Sequence, residues 1–166
     1  MLFSDLKNKI KKNKFTIGTW ITISSSLIPE LYSKSGLDWI CVDLEHTSIN
    51  LHQLENIIIS AHNNNLPVLV RVGDHNKNEI KKIMDIGAAG IIAADVKNKN
   101  EINNLVHAVK YPKIGLRGLG LYRAQEFGDK LKQYINWNNK DSIIIPQIES
   151  KEAVDNISDI LENKNI

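Results

Sequence analysis

A single cysteine, Cys41, is the whole thiol inventory of this 166-residue chain. No disulfide can form within it, so a reducing cytoplasm is the expected compartment. No apolar run approaches the roughly 18 residues that a membrane helix needs. Charge of one sign is also in short supply. A formal net charge of +2 gives no electrostatic reason to expect nucleic acid or an anionic membrane as a partner. Arginine is scarce, at three residues against 18 lysines, while isoleucine (25) and asparagine (19) are abundant, a bias that A/T-rich codons explain. That bias makes Asn63-Asn64-Asn65 a helix-ending loop and not a functional low-complexity tract. It also makes Arg71, Arg117 and Arg123 informative, because an arginine kept among lysines points to a use for its planar fork. No Cys/His cluster has zinc spacing. Gly115, Gly118 and Gly120 match neither the G-x-G-x-x-G nor the G-x-x-x-x-G-K-[ST] phosphate pattern.

What is present centres on Asp38-Trp39-Ile40-Cys41-Val42-Asp43-Leu44-Glu45-His46. Trp39 to Val42 is a short apolar run, the mark of a buried strand. Asp43, Glu45 and His46 follow it directly, so the strand delivers acid/base groups to one rim of a sheet, where parallel α/β folds place their chemistry. The plainer reading is a strand followed by a polar turn.

The rest of the chain repeats this unit. Residues 1–14 are lysine-rich with Leu2, Phe3, Leu6 and Ile10 at helical spacing, a surface helix without the apolar core of a signal peptide. Residues 15–23 read as strand one, and Pro29-Glu30 opens a short helix that Gly36 ends. Leu51, Leu54, Ile57, Ile58 and Ala61 give an amphipathic helix over 49–64. Strand three spans 67–72, and Asn76 caps a helix whose apolar face is Ile80, Ile83 and Met84. Strand four spans 91–94, and helix 98–109 carries Ile102, Leu105, Val106 and Val109. Residues 114–120 read as a short fifth strand, 131–137 as a helix, 142–149 as strand six and 151–161 as a last helix. Six strands alternating with helices about 25 residues apart indicate βα units and a parallel sheet in one domain, 1–166. A doubly wound sheet would be complete at this length. A (β/α)8 barrel takes about 250 residues, so this chain would hold about six of its eight units.

The strand ends carry Glu45, His46, Arg71, Asp95, Gln147 and Glu149. Histidine moves protons near neutral pH, arginine holds a carboxylate or oxyanion, and a carboxylate such as Glu149 can hold a divalent metal. Each has a plain structural alternative: a turn bond for His46, an ion pair for Arg71, a solvated carboxylate for Glu149. His52, His62, His75 and His107 have no patterned companions and read as surface or helix residues.

Gly18-Thr19-Trp20, Gly36-Leu37-Asp38-Trp39 and Asp43-Leu44-Glu45-His46 together resemble the HpcH/HpaI aldolase family, the metal-dependent class II pyruvate aldolases. The likeness continues through Val70-Arg71, Asp85-Ile86-Gly87-Ala88, Tyr111-Pro112, Gly115-Leu116-Arg117-Gly118 and Gln147-Ile148-Glu149, in family order over nearly the whole chain. The resemblance implies a TIM-barrel fold and reversible cleavage of a 4-hydroxy-2-oxo acid to pyruvate and an aldehyde. It implies Mg²⁺, Mn²⁺ or Co²⁺ as cofactor, a small 2-oxo acid as substrate, and a homo-oligomer. By motif, His46 would be the acid/base residue and Asp85 its orienting partner, Arg71 would stabilise the enolate oxygen, Gln147 would lie beside the metal, and Glu149 would be a metal ligand. Two departures stand out. Ala93-Ala94-Asp95 replaces a Val-Pro-Met type sequence. The chain also stops at Ile166, ahead of the Gly-Pro-x-Asp-Leu-Ser type segment that brings the family's second metal carboxylate. On this reading the barrel is truncated and lacks strands seven and eight and the assembly helix. The alternatives are a catalytically impaired fragment or split-barrel half, and a related metal-dependent lyase acting on a thioester or another 2-oxo acid.

Overall fold

A computed structural model describes residues 4–166. The expected contributions of Leu2 and Phe3 to the first helix lie outside the described residues. Helix α1 (Ser4–Lys11) leads into β1 (Gly18–Ile21), α2 (Leu27–Tyr32), β2 (Trp39–Asp43), α3 (Leu51–Asn63), β3 (Val68–Val72), α4 (Lys77–Ile86), β4 (Gly90–Ala93) and α5 (Lys99–Val109). A 3-10 turn (Arg123–Gly128), α6 (Leu131–Asp141), β5 (Ile143–Pro146), α7 (Lys151–Asp155) and α8 (Ile157–Leu161) complete it.

The strands are all parallel and pair in the order β1-β2-β3-β4-β5. A doubly wound sheet reverses its strand order at a switch point. Here each strand lies beside the next in sequence, so the chain winds in one direction only, as barrel units do. The pleat then sorts the side chains. Ile40, Val42, Val68, Val70, Val72, Ile91, Ala93 and Ile144 face the helices and pack with Leu54, Ile57, Ile58, Ile80, Ile83, Leu105 and Val109. Cys41, Leu69, Ile92 and Ile143 form a separate cluster with Leu6 on the opposite, inner face, with Trp39 and Ile145 against it. Continuing the inner-face period of two past Cys41, Leu69 and Ile145 reaches Asp43, Arg71 and then Gln147 and Glu149 at the carboxyl ends of the strands.

The helix boundaries follow local chemistry. Asn50 caps α3 in a reciprocal box with Gln53. Asn76 caps α4, accepting from the Asn78 and Glu79 N–H groups. Gly87, at φ 124°, ends α4 in a conformation a side chain resists.

The stretch 114–120 is not a strand, and among the described residues the sheet has five strands where six are expected. Gly115 N–H donates to the Tyr111 carbonyl, Leu116 N–H to His107 and Arg117 N–H to Lys110, so the segment folds back on the end of α5 and β4 pairs directly with β5. A Cβ on Gly115 would lie 2.2 Å from the Lys110 carbonyl oxygen, a contact only glycine allows. The last helix is two short ones, divided at Asn156, whose side-chain amide donates to the Lys97 carbonyl.

Candidate functional site

Asp43 ends β2, and Arg71 is its register partner on β3. Adjacent strands put their side chains within reach, and the guanidinium grips the carboxylate twice: Nε to Oδ1 at 2.9 Å and Nη2 to Oδ2 at 2.6 Å. Asp43 Oδ1 also accepts from the Glu45 N–H (3.0 Å) and the His46 N–H (3.3 Å), and the Asp43 carbonyl accepts from the Thr47 hydroxyl. One buried carboxylate therefore fixes both the arginine and the turn that carries His46. Burial pushes its pKa up, but the Arg71 guanidinium and the His46 and Glu45 N–H groups outweigh that and hold it below the ordinary carboxylate value. The Arg71 guanidinium stacks on Trp20 of β1, 4.6 Å from the ring centroid.

Glu45 and His46 sit on this frame. Glu45 Oε2 lies 3.3 Å from Arg71 Nε and 3.7 Å from His46 Nε2. It is a buried carboxylate oxygen with no hydrogen bond, because Asp43 takes the Arg71 N–H. His46 itself is open to solvent, its side chain 69% exposed. Such an arrangement puts a solvent-accessible imidazole, able to take and return a proton, beside a carboxylate.

The second group hangs from β4 and β5. Glu149 Oε1 accepts from the Asp95 N–H at 2.7 Å, and Oε2 accepts from the Gln147 amide at 2.6 Å. Asp95 holds a positive φ of 47°, which aims its N–H at Glu149 while its carboxylate pairs with Lys97 at 2.8 Å. Glu149 and Gln147 are hard oxygen donors of the kind Mg²⁺ and Mn²⁺ take, and such ions are held by as few as one or two protein carboxylates plus water and substrate. Among the described residues there is no group of three His, Cys, Asp or Glu side chains that could close around a metal. The donor set thus fits one corner of a hydrated hard cation, with Glu149 as its protein carboxylate.

Of the expected site residues, the fold gathers His46, Arg71, Gln147 and Glu149 at the carboxyl ends of the strands. It does not bring Asp85 to His46. Asp85 is in the last turn of α4, which runs antiparallel to the strands for ten residues, about 15 Å, so it lies at the amino-terminal edge of the sheet. Its partners there are Arg117 Nη2 at 2.5 Å and the Gln125 amide at 3.1 Å. Asp43, expected as one of the acid/base groups at the end of strand two, instead serves as the clasp on Arg71. Trp20, which carried no expected role, packs its ring on the same guanidinium.

The sequence model described as HpcH/HpaI aldolase/citrate lyase matches residues 16–166. The chain is 31% identical over 172 residues to 2-keto-3-deoxy-L-rhamnonate aldolase of Escherichia coli O17:K52:H18, with all of this chain and 62% of that protein aligned. It superposes on the crystal structure of an HpcH/HpaI aldolase from Desulfitobacterium hafniense DCB-2 with a TM-score of 0.89 at 27% identity, covering 100% of this chain and 64% of that one. On the citrate synthase SbnG the TM-score is 0.87 at 29% identity, covering 99% and 63%. The chain thus spans 62% of the length of the curated relative it matches.

Proposed function

Since this chain belongs to the HpcH/HpaI aldolase/citrate lyase family, we propose that it carries a carbon–carbon lyase site that cleaves 4-hydroxy-2-oxo acids to pyruvate and an aldehyde. The observation that supports this most is the Asp43–Arg71–Glu45–His46 group at the carboxyl edge of the sheet. A divalent ion on Glu149 would polarise the 2-oxo group, as a Lewis acid does. Asp43 holds Arg71 by Nε and Nη2 and leaves its other N–H groups for a substrate oxygen. As the C3–C4 bond breaks, its electron pair moves into the 2-oxo group, and the Arg71 charge stabilises the resulting enolate oxygen. His46 takes the proton from the 4-hydroxyl group as the aldehyde leaves and returns it to C3, giving pyruvate. Glu45, and not Asp85 of the same chain, is the carboxylate that steadies the imidazolium. Gln147 holds Glu149 in place.

The test is pyruvate release from a panel of 4-hydroxy-2-oxo acids with Mn²⁺, Mg²⁺ or Co²⁺. Release that is abolished by chelation and by Glu149→Gln supports the proposal. Release that survives both would remove the metal role, and the absence of release from every member of the panel would remove the aldolase reading. The likeness to a citrate synthase supports a second reading, a carbon–carbon bond-forming reaction on a thioester or another 2-oxo acid. The same enolate-stabilising edge would serve it, and the assay run in the condensing direction separates the two.

A further inference from the structure

A groove of about 510 Å³ runs between α4 and α5 on the helix side of the sheet, with its His75 end beside the carboxyl end of β4. Its walls are Lys77, Asn78 and Lys81 of α4 and Asn104 and His107 of α5, with His75 at one end. The Leu116-Arg117-Gly118 segment closes the other end. Among the described residues, no carboxylate lines it. Neighbouring cavities differ: the one between α3 and α4 carries Glu55 and Asp85, and the one beside Leu44 carries Glu45, Asp74 and Glu79. The chain as a whole has 19 acidic residues against 21 basic ones, so general basicity does not account for the groove.

The lysines there are placed against their local interest. Lys77 is the first residue of α4, where the helix dipole disfavours a cation. Lys81 is four residues on, a like-charge pair on one helix face. Neither has an ion-pair partner among the described residues. Arg117 brings no free charge, because its guanidinium is buried against Asp85 at 2.5 Å. His75 Nε2 is fixed 2.7 Å from the Ala94 carbonyl oxygen. At Gly118 an added Cβ would meet nothing within 4 Å, so the closing segment leaves room. Two ammonium groups without an ion-pair partner, two carboxamides and the His107 imidazole thus surround a ligand-sized space, with positive charge and hydrogen-bond donors but no carboxylate to balance them. A helix that bears such a local conflict is what a binding site produces.

We propose that the α4–α5 groove binds a small polyanion, a phosphate- or carboxylate-bearing metabolite, held by Lys77 and Lys81 with Asn78, Asn104 and His107 as hydrogen-bond donors. The volume is that of a small-molecule site. The ligand relieves the Lys77–Lys81 repulsion and places its charge beside the start of α4.

Calorimetric titration of the purified chain with pyrophosphate and, separately, with citrate at fixed ionic strength tests this, and comparing the two shows which anion type the site takes. Saturable binding of either is expected. Lys77→Gln with Lys81→Gln should weaken it on the order of tenfold or more, the loss of a charge-assisted hydrogen bond. Asn104→Asp, which leaves both lysines in place and adds a carboxylate to the wall, should weaken it as well. The exposed pair Lys132→Gln with Lys140→Gln on α6 should leave it unchanged. No saturable binding of either anion, or equal affinity in the groove variants and the wild type, would overturn the proposal.

Discussion

The Arg71 guanidinium meets the Asp43 carboxylate with two parallel hydrogen bonds of 2.9 and 2.6 Å, across neighbouring strands in register. Asp43 is almost wholly buried, at 2% exposure, and the same carboxylate receives the N–H groups of Glu45 and His46. Removing one member of a buried pair leaves the other charge uncompensated, so Asp43→Asn should cost about 3 kcal/mol or more of stability. The folded pKa of Asp43 lies below its ordinary value, so its contribution is complete above the ordinary carboxylate range and lost as pH falls through the folded value. Denaturation midpoints of wild type and Asp43→Asn should therefore converge in strong acid. A gap that stays constant would show that Asp43 titrates normally.

Arg71→Lys keeps the charge and loses the fork. The two-point grip on Asp43 and the stacking on Trp20 both depend on the guanidinium plane. Turnover in the pyruvate-release assay should fall at least tenfold, while the fold, read by circular dichroism, is retained. Normal turnover in the lysine variant would make Arg71 a structural residue only.

His46 and Glu45 separate catalysis from stability. His46 is exposed, so His46→Ala should change stability by less than about 0.5 kcal/mol and lower the rate roughly 10²–10⁴-fold. Glu45→Gln keeps the side-chain shape but removes the charge 3.7 Å from the imidazole. Turnover in the pyruvate-release assay should fall while the melting temperature stays close to that of the wild type. Normal turnover in Glu45→Gln would assign Glu45 a packing role.

Much of this was legible in the sequence, because the fold is dictated by patterns one strand or helix long. The apolar run of β2, the helical period of α3 and the Asn76 cap are local signals, and the structure follows them. The scarce arginines are all engaged: Arg71 uses its fork on Asp43, Arg117 lies buried on Asp85 with the Tyr111 ring centroid at 4.5 Å, and Arg123 reaches His62 Nδ1 through Nη1 alone, at 2.9 Å. What was not legible depended on contacts across the chain. Ile114 and Leu116 alternate as strand residues do, yet their backbone is claimed by the end of α5. His62 carries no motif but is buried, and burial, with Arg123 beside it, pushes its pKa down to about 3. The separation of Asp85 from His46 follows only from knowing that α4 returns to the far edge of the sheet.

Gly115 should be the least replaceable of the glycines in the 115–120 segment. An alanine methyl there would lie 2.2 Å from the Lys110 carbonyl oxygen and 2.8 Å from its Cβ. Backbone must move to admit it, so Gly115→Ala should destabilise by about 1–3 kcal/mol, whereas Gly118→Ala, in open space, should be near neutral. Thermal unfolding of the two variants side by side checks this, and equal melting temperatures would contradict the packing described.

Lys110 gives the sharpest dependence on pH. It is 1% exposed, and its ammonium donates to the carbonyl oxygens of Asn138 (2.8 Å) and Ser142 (2.9 Å) and to the Ser142 hydroxyl (2.7 Å). Burial, and after it the charge of Lys7, push its pKa from 10.5 down to about 7, against the pull of Asp141. Between pH 7 and 10.5 the unfolded chain therefore holds more protons at this site than the folded one, and the stability contributed by Lys110 rises with pH across that window. The Cys41 and Tyr134 groups, whose pKa values burial pushes up to about 12, act in the opposite direction at high pH. They are unchanged in Lys110→Met, so they cancel in the difference between variant and wild type. The methionine keeps the length and removes the donors, and at pH 10 the variant should be less stable by about 1–3 kcal/mol. That deficit should shrink as pH falls toward 7, because the wild type then bears the cost of a buried charge that the variant lacks. Urea midpoints at pH 7, 8, 9 and 10 give the difference directly. A deficit that does not change over this range would mean that the amine titrates at its ordinary value and that burial does not control it.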